Sequence, residues 1–163
     1  MITRRHVLAS ALGATALALA PAVSPAFAQA PAVGAIRVEA LPSVVEAWGP
    51  HLPMVKAELA RTLAEILGPS YQPRSGTRLV VTIGRMWLGS DIRGGRFNGG
   101  NNDYLESTAT LYDRNGRQIA SYPIRSTELS SGAGLPQLAS VDKNRLQALA
   151  RNNAWWIKRY IAG

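Results

Sequence analysis

The sequence predicts an α+β domain, a two-layer sandwich in which a mostly antiparallel four-stranded sheet carries two helices on one face. Three observations lead there. Four segments alternate apolar and polar residues with the period of a strand. Two longer segments repeat apolar residues every three or four positions, as a helix lying on a core does. The chain visits them in the order β-α-β-β-β-α.

The first strand is 35–41, where Ile36, Val38 and Ala40 face one way and Arg37 and Glu39 the other. Ser43 followed by Glu46 fits a capping box, so a helical turn is expected there, while Pro50 and Pro53 argue against one unbroken helix. Pro53 suits the first turn of a second helical segment. Its stripe is Leu52, Val55, Leu59, Leu63, Ile66 and Leu67, and Gly68-Pro69 stops it. In 78–88, Leu79, Val81 and Ile83 share a face and Gly84 marks a bulge.

A Gly/Asn/Arg-rich loop occupies 89–102. Segments 103–112 and 117–125 form a hairpin around Asp113-Arg114-Asn115-Gly116, and Pro123 places the second strand at a sheet edge. The free face of the hairpin then shows Tyr104, Glu106, Thr108, Thr110 and Tyr112 in a row. Residues 130–134 connect to a closing helix capped by Ser140. Its expected buried stripe is Leu146, Leu149, Ala150, Asn153, Trp156, Ile157, Tyr160 and Ile161, with Trp155 beside it.

Ahead of this domain (35–163) and a Pro/Ala/Gly-rich tail (29–34), residues 1–28 have the three parts of a cleavable signal peptide. Arg4 and Arg5 are the basic start, 7–20 the apolar middle, and Ala26-Phe27-Ala28 the small-x-small cleavage site. Ser10, Gly13 and Thr15 interrupt the apolar run and Pro21 ends it, so it falls short of the about 20 strongly apolar residues of a permanent span. Thr3-Arg4-Arg5-His6-Val7-Leu8-Ala9 resembles a twin-arginine signal and departs from it at Val7 and Ala9. The expected product is periplasmic, handed over by the export machinery, cleaved after Ala28 and not integral to a membrane.

Several of these features recur together elsewhere. The Arg4-Arg5 leader, the strand–helix–strand, the Gly/Asn loop ending in Asn102-Asp103, the turn at 113–116 and the closing helix with Trp155-Trp156 resemble small exported proteins of alphaproteobacteria that carry no assigned activity. The likeness covers most of the chain after the leader, rests on structural motifs and transfers no catalytic residue. The layout is also similar to helix-on-sheet domains of periplasmic envelope-assembly proteins, which bears on fold alone.

Composition narrows the chemistry. With 163 residues the chain suits a single domain, and 47% hydrophobic residues can fill its core. Without cysteine there is no disulfide, thiolate metal site, cysteine nucleophile or lipid-anchored cysteine. Net charge is +8, and 18 basic residues less Arg4 and Arg5 leave 16 against 10 acidic ones, or +6. Thirteen of those 16 are arginine, a side chain suited to forked contacts with carboxylate or phosphate. An arginine-rich composition alone produces the same excess.

His51 is the only histidine beyond the leader, and no Gly-x-Ser-x-Gly elbow accompanies it, so a Ser-His-Asp hydrolase has little to stand on. Asp91, Asn98, Asn101, Asn102 and Asp103 offer oxygens but not the spacing of an EF-hand loop. No metal site, cofactor or catalytic residue is assigned. Glu106 and Glu128 are the candidate carboxylates for the competing class, a small envelope hydrolase of glycans or esters. The run Arg93-Gly94-Gly95-Arg96-Phe97-Asn98-Gly99-Gly100 lacks the Gly-Lys-Ser/Thr of a phosphate loop. Export also removes the nucleic acid that an RGG segment would bind. Trp155, Trp156 and Tyr160 fit a membrane-interface belt, but their helical spacing favours a core role. The expected function is a non-enzymatic periplasmic binding or accessory protein whose partner is an anionic envelope component or an envelope protein. Its candidate ligand residues are Arg85, Arg93, Arg96, Phe97, Tyr104 and Tyr112.

Overall fold

The computed structural model describes residues 32–89, 102–129 and 139–162. Strand β1 (Ala35–Ala40) leads into helices α1 (Pro42–Trp48) and α2 (Leu52–Leu67) and a 3-10 turn at Gly68–Ser70. Strands β2 (Arg78–Trp87), β3 (Asn102–Tyr112) and β4 (Gln118–Leu129) follow, and helix α3 (Ala139–Ala162) closes the fold. The strands lie side by side in the order β1-β2-β3-β4. Strands β2, β3 and β4 are antiparallel neighbours, but β1 runs parallel to β2, with Ala35 opposite Arg78 and Ala40 opposite Ile83. The sheet is therefore mixed, not mostly antiparallel as periodicity suggested. Alternation along a strand reports its buried face and carries no sign of its direction. Direction comes from the connection, and α1 with α2 is long enough to bring the chain back to the end at which β1 began.

Three helices stand where two were expected. Helix α1 starts at Pro42, with Leu41 as its N-cap and no side-chain capping bond, so the Ser43–Glu46 capping box does not form. Proline supplies a preset φ and has no N–H to leave unpaired, which lets the helix begin two residues before a Ser43 cap would start it. Pro53 does sit in the first turn of α2. Gly68, with φ of +50°, ends that helix in the left-handed region.

Helices α2 and α3 pack against each other and cover one face of the sheet. Leu59 and Leu63 from α2, Leu79, Val81 and Ile83 from β2, Leu105 from β3 and Leu149 and Ile157 from α3 are fully buried in one cluster. Asn153 enters this core because it is fully bonded. Its Oδ1 accepts from Ser107 Oγ (2.8 Å) and its Nδ2 donates to Ser126 Oγ (3.1 Å), tying α3 to β3 and β4.

The stripe expected on α3 is corrected at two positions. Trp156 is 38% exposed and Tyr160 is 50% exposed, while Ala154 is buried beside Ala150 and Ile157. The other six expected residues, Leu146, Leu149, Ala150, Asn153, Ile157 and Ile161, are buried, so the arc keeps its centre and gains Ala154 at the border away from Trp156. The helix also begins at Ala139, which puts Ser140 inside it and not before it as a cap.

The β3–β4 turn follows the sequence closely. Asp113 Oδ1 accepts the N–H groups of Asn115 and Arg117, both at 2.9 Å, and Gly116 takes φ of +79°. The Arg117 N–H above all holds the Asp113 carboxyl below the usual carboxylate range. Strand β4 lies at the sheet edge, as Pro123 indicated.

Candidate functional site

The sheet face away from the helices is built by the bulge at Gly84. Register runs Ile83 opposite Ser107 and then Arg85 opposite Glu106, so Gly84 is the extra residue. An uninterrupted alternation from Ile83 would bury Arg85 and Trp87 and expose Met86. The inserted residue reverses this. Met86 turns into the core at 4% exposure, whereas Arg85 is exposed and Trp87 is 54% exposed. On β3 the even-numbered residues Tyr104, Glu106, Thr108, Thr110 and Tyr112 alternate with buried neighbours, as the sequence predicted.

At the bulged end of the sheet, side chains from three strands meet. The Trp87 and Tyr104 rings lie almost parallel (18°) with centroids 6.5 Å apart. The Arg125 guanidinium of β4 sits over the other side of the hairpin, 4.7 Å from the Tyr104 centroid. Arg125 Nε is 3.7 Å from Glu106 Oε1, a loose exposed pair that leaves the guanidinium open to other acceptors. Arg85, Glu106, Thr108, Pro123 and Arg125 border an open hollow of about 500 Å³. Two guanidinium groups and one carboxylate give this end of the face a net positive charge. The arrangement can grip an anion with forked donors and lay a ring or flat group against Trp87 and Tyr104.

Beneath it lies a buried clamp. Asp103 (1% exposed side chain) pairs with Arg145 (7%) from α3, whose Nε is 2.7 Å from Asp103 Oδ2 and whose Nη2 also donates to Oδ1. The Gly89 N–H donates to Asp103 Oδ1 (2.9 Å), and the Gly89 carbonyl accepts from Arg145 Nη2 (2.6 Å). Both flanks of segment 90–101 are thereby fastened to α3. The Asp103 carboxylate raises the Arg145 guanidinium further above its already high range.

The structure brings Arg85 and Tyr104 together but separates Tyr112 from them. Tyr112 lies eight residues along the same strand, about 27 Å away at 3.4 Å per residue, and its partner is Arg78, 5.4 Å from the ring. Arg93, Arg96 and Phe97 lie outside the described residues, as do the leader residues Arg4, Arg5, Ala26 and Ala28 and the calcium candidates Asp91, Asn98 and Asn101. Glu106 and Glu128 do not form a catalytic pair. Glu106 is on the free face, whereas Glu128 lies opposite buried Asp103 and accepts from Asn152 of α3 (2.7 Å). His51 sits at the head of α2, edge-on to Trp48 at 6.4 Å and on neither face of the site.

Trp87 and Arg125 were missed by sequence reasoning. The signal for Trp87 is the bulge at Gly84, which reverses the alternation three residues before it. Counting outward from the turn at 113–116 does not reach Arg125, because the β3–β4 register shifts between Leu111 and Tyr112 and only that shift sets Arg125 opposite Glu106. Among the described residues no cluster of histidine and carboxylate side chains could hold a metal ion, and no helix is long and apolar enough to cross a membrane.

No family model matches the chain, and no curated protein matches it. Solved structures resemble it loosely. A proposed lipoprotein of Caulobacter crescentus aligns at 17% identity and TM-score 0.49, covering 66% of this chain and 80% of its own. A variant of PelC from Paraburkholderia phytofirmans, a dodecamer, aligns at 15% identity and TM-score 0.48, covering 83% and 93%. A proposed homologue of a neuraminyllactose-binding haemagglutinin from Helicobacter pylori aligns at 9% identity and TM-score 0.46, covering 81% and 83%. At these values none of them assigns the chain to a family.

Proposed function

We propose that the protein is a non-enzymatic binding or accessory protein of the bacterial periplasm, which holds an anionic envelope component or an envelope protein on the free face of its sheet. The observation that carries this reading is the Gly84 bulge, which turns Arg85 and Trp87 out beside Tyr104 and Arg125. A bulge at that point re-aims two side chains from the core to one open surface. The hollow that Arg85, Glu106 and Arg125 border is open among the described residues and carries a net positive charge, which supports a binding role. The opposite placement of Glu106 and Glu128 removes the pair on which the hydrolase reading rested. Delivery to the periplasm rests on the leader, with Arg4 and Arg5 as export signal and cleavage after Ala28.

The test is titration of the protein with lipopolysaccharide, peptidoglycan fragments and anionic lipid vesicles at two salt concentrations. Arg85→Ala/Arg125→Ala should weaken binding of the true ligand about tenfold, as two exposed charge pairs are lost, and raised salt should weaken the wild type similarly. Arg93→Ala/Arg96→Ala measures the share of the segment joining β2 to β3. Unchanged affinity of the Arg85→Ala/Arg125→Ala protein for every ligand it binds would exclude the sheet face.

A further inference from the structure

The outer side of the last turns of α3 carries two aromatic rings that no core interaction explains. Trp155 is 55% exposed and Trp156 38%. Tyr160 is also exposed, but its ring stacks on Tyr122 of β4 at 5.6 Å, so it has a partner within the fold. The two indoles have cations instead. Lys158 Nζ lies 5.1 Å from the Trp155 ring centroid and the Arg159 guanidinium 5.4 Å from that of Trp156. Asn152, Lys158 and Arg159 border an open hollow of about 470 Å³ between the indoles.

The charge of this surface is one-sided. From Lys143 to the end of the sequence there is no aspartate or glutamate. Glu58 and Glu128, which reach α3 from other elements, are engaged by Arg151 and Asn152. The position of these residues is also specific: α3 lies on the helix-covered face of the sheet, opposite the face that shows Arg85 and Trp87.

We propose that this outer face of α3 is a docking surface for an anionic phospholipid bilayer. Indole rings partition into the boundary between headgroups and acyl chains, where an apolar body and a polar N–H are both satisfied. Lysine and arginine interleaved with them meet the negative headgroups at the same depth, and long basic side chains keep their charge in the polar layer. Charge complementarity selects this occupant: a helical surface with exposed indoles, paired cations and, among the described residues, no free acid matches an anionic surface. The contact is peripheral and reversible, and it leaves the free sheet face directed away from the membrane.

The experiment uses the full chain and vesicles of phosphatidylethanolamine and phosphatidylglycerol carrying brominated acyl chains, with phosphatidylcholine vesicles for comparison. Bromine quenches indole emission only at close range, and residues 1–28 hold no tryptophan, so the leader contributes no signal. Quenching is expected with the anionic vesicles, weaker with phosphatidylcholine, and reduced by added salt. Trp155→Phe/Trp156→Phe should abolish most of it, and Lys158→Glu/Arg159→Glu should weaken vesicle binding about tenfold or more. Both pairs are exposed, and circular dichroism verifies that the variants fold. The proposal is overturned if the double Phe variant is quenched like the wild type. It is equally overturned if quenching vanishes only with Trp87→Phe, which would assign the lipid to the sheet face. Self-association that buries the indoles and excludes vesicles also sinks it.

Discussion

Removing the Asp103 carboxylate isolates a buried cation, and the consequence can be worked from the contacts. In Asp103→Ala, Arg145 loses its acceptor at Nε (2.7 Å) and a second at Nη2, and the Gly89 N–H loses its only described partner. The guanidinium keeps the Gly89 carbonyl at 2.6 Å and Asp142 at 3.3 Å. Breaking a buried ion pair from one side costs about 3–5 kcal/mol, because the remaining charge stays desolvated. Asp142, whose side chain is 41% exposed, offsets part of that loss. The expected destabilisation is therefore at the lower end, about 3 kcal/mol. At an m-value of about 1.5 kcal/mol per molar this lowers the urea midpoint by about 2 M. Asp103→Leu/Arg145→Met should land between the wild type and the single variants, since it removes both charges and leaves only the Gly89 groups unpaired. A single variant that loses under about 0.5 kcal/mol, or a double variant no more stable than Asp103→Ala, would refute the reasoning.

Two further outcomes follow from burial and from charge. Leu59→Ala, at a fully buried position between α2 and α3, should cost about 2–5 kcal/mol in chemical denaturation, whereas Trp156→Ala, where the ring is only partly covered at 38% exposure, should cost less than Leu59→Ala. Burial pushes the Glu58 carboxyl up, but Arg61 and Arg151 outweigh it and hold the group below its ordinary 4.5. Its contribution is therefore present above that value and lost as pH falls through the lower folded-state value. Urea midpoints measured from neutral pH down into the acid range should show a shallower acid decline for Glu58→Gln than for the wild type.

Local periodicity made much of the architecture legible. The strand faces came from alternation, the α2 stripe from its leucines and the β3–β4 turn from Asp113 and Gly116, each a signal held within a few residues. What escaped depended on longer range. The direction of β1 relative to β2 is a property of the whole crossover, which no window over 35–41 contains. Trp156 and Ala154 lie about 160° apart on the helical wheel, at the two borders of the buried arc, and a stripe of apolar residues does not say at which border the neighbouring elements close in; the structure buries Ala154 and leaves Trp156 partly exposed. At the candidate site, Tyr104 and Arg85 were visible as individual residues, but their company was not. Trp87 reaches that face through a single inserted glycine, and Arg125 through a register shift beside the β3–β4 turn that alternation does not reveal. The Asp103–Arg145 clamp joins residues 42 positions apart in the sequence, and neither carries a local signature of the other.

The packing of α2 on α3 has a consequence for how the chain reaches this state during synthesis. The apolar stripe of α2 is made early, yet half of what covers it belongs to the last 24-residue helix. Until α3 emerges, Leu59 and Leu63 can meet the sheet but lack the helix that covers the rest of the α2 stripe. The β2–β3–β4 meander can assemble from neighbouring segments, but the complete core depends on contacts spanning most of the domain. Completion of the core therefore waits on α3, and before α3 packs the apolar stripe of α2 is the surface most open to chaperones, proteases and self-association.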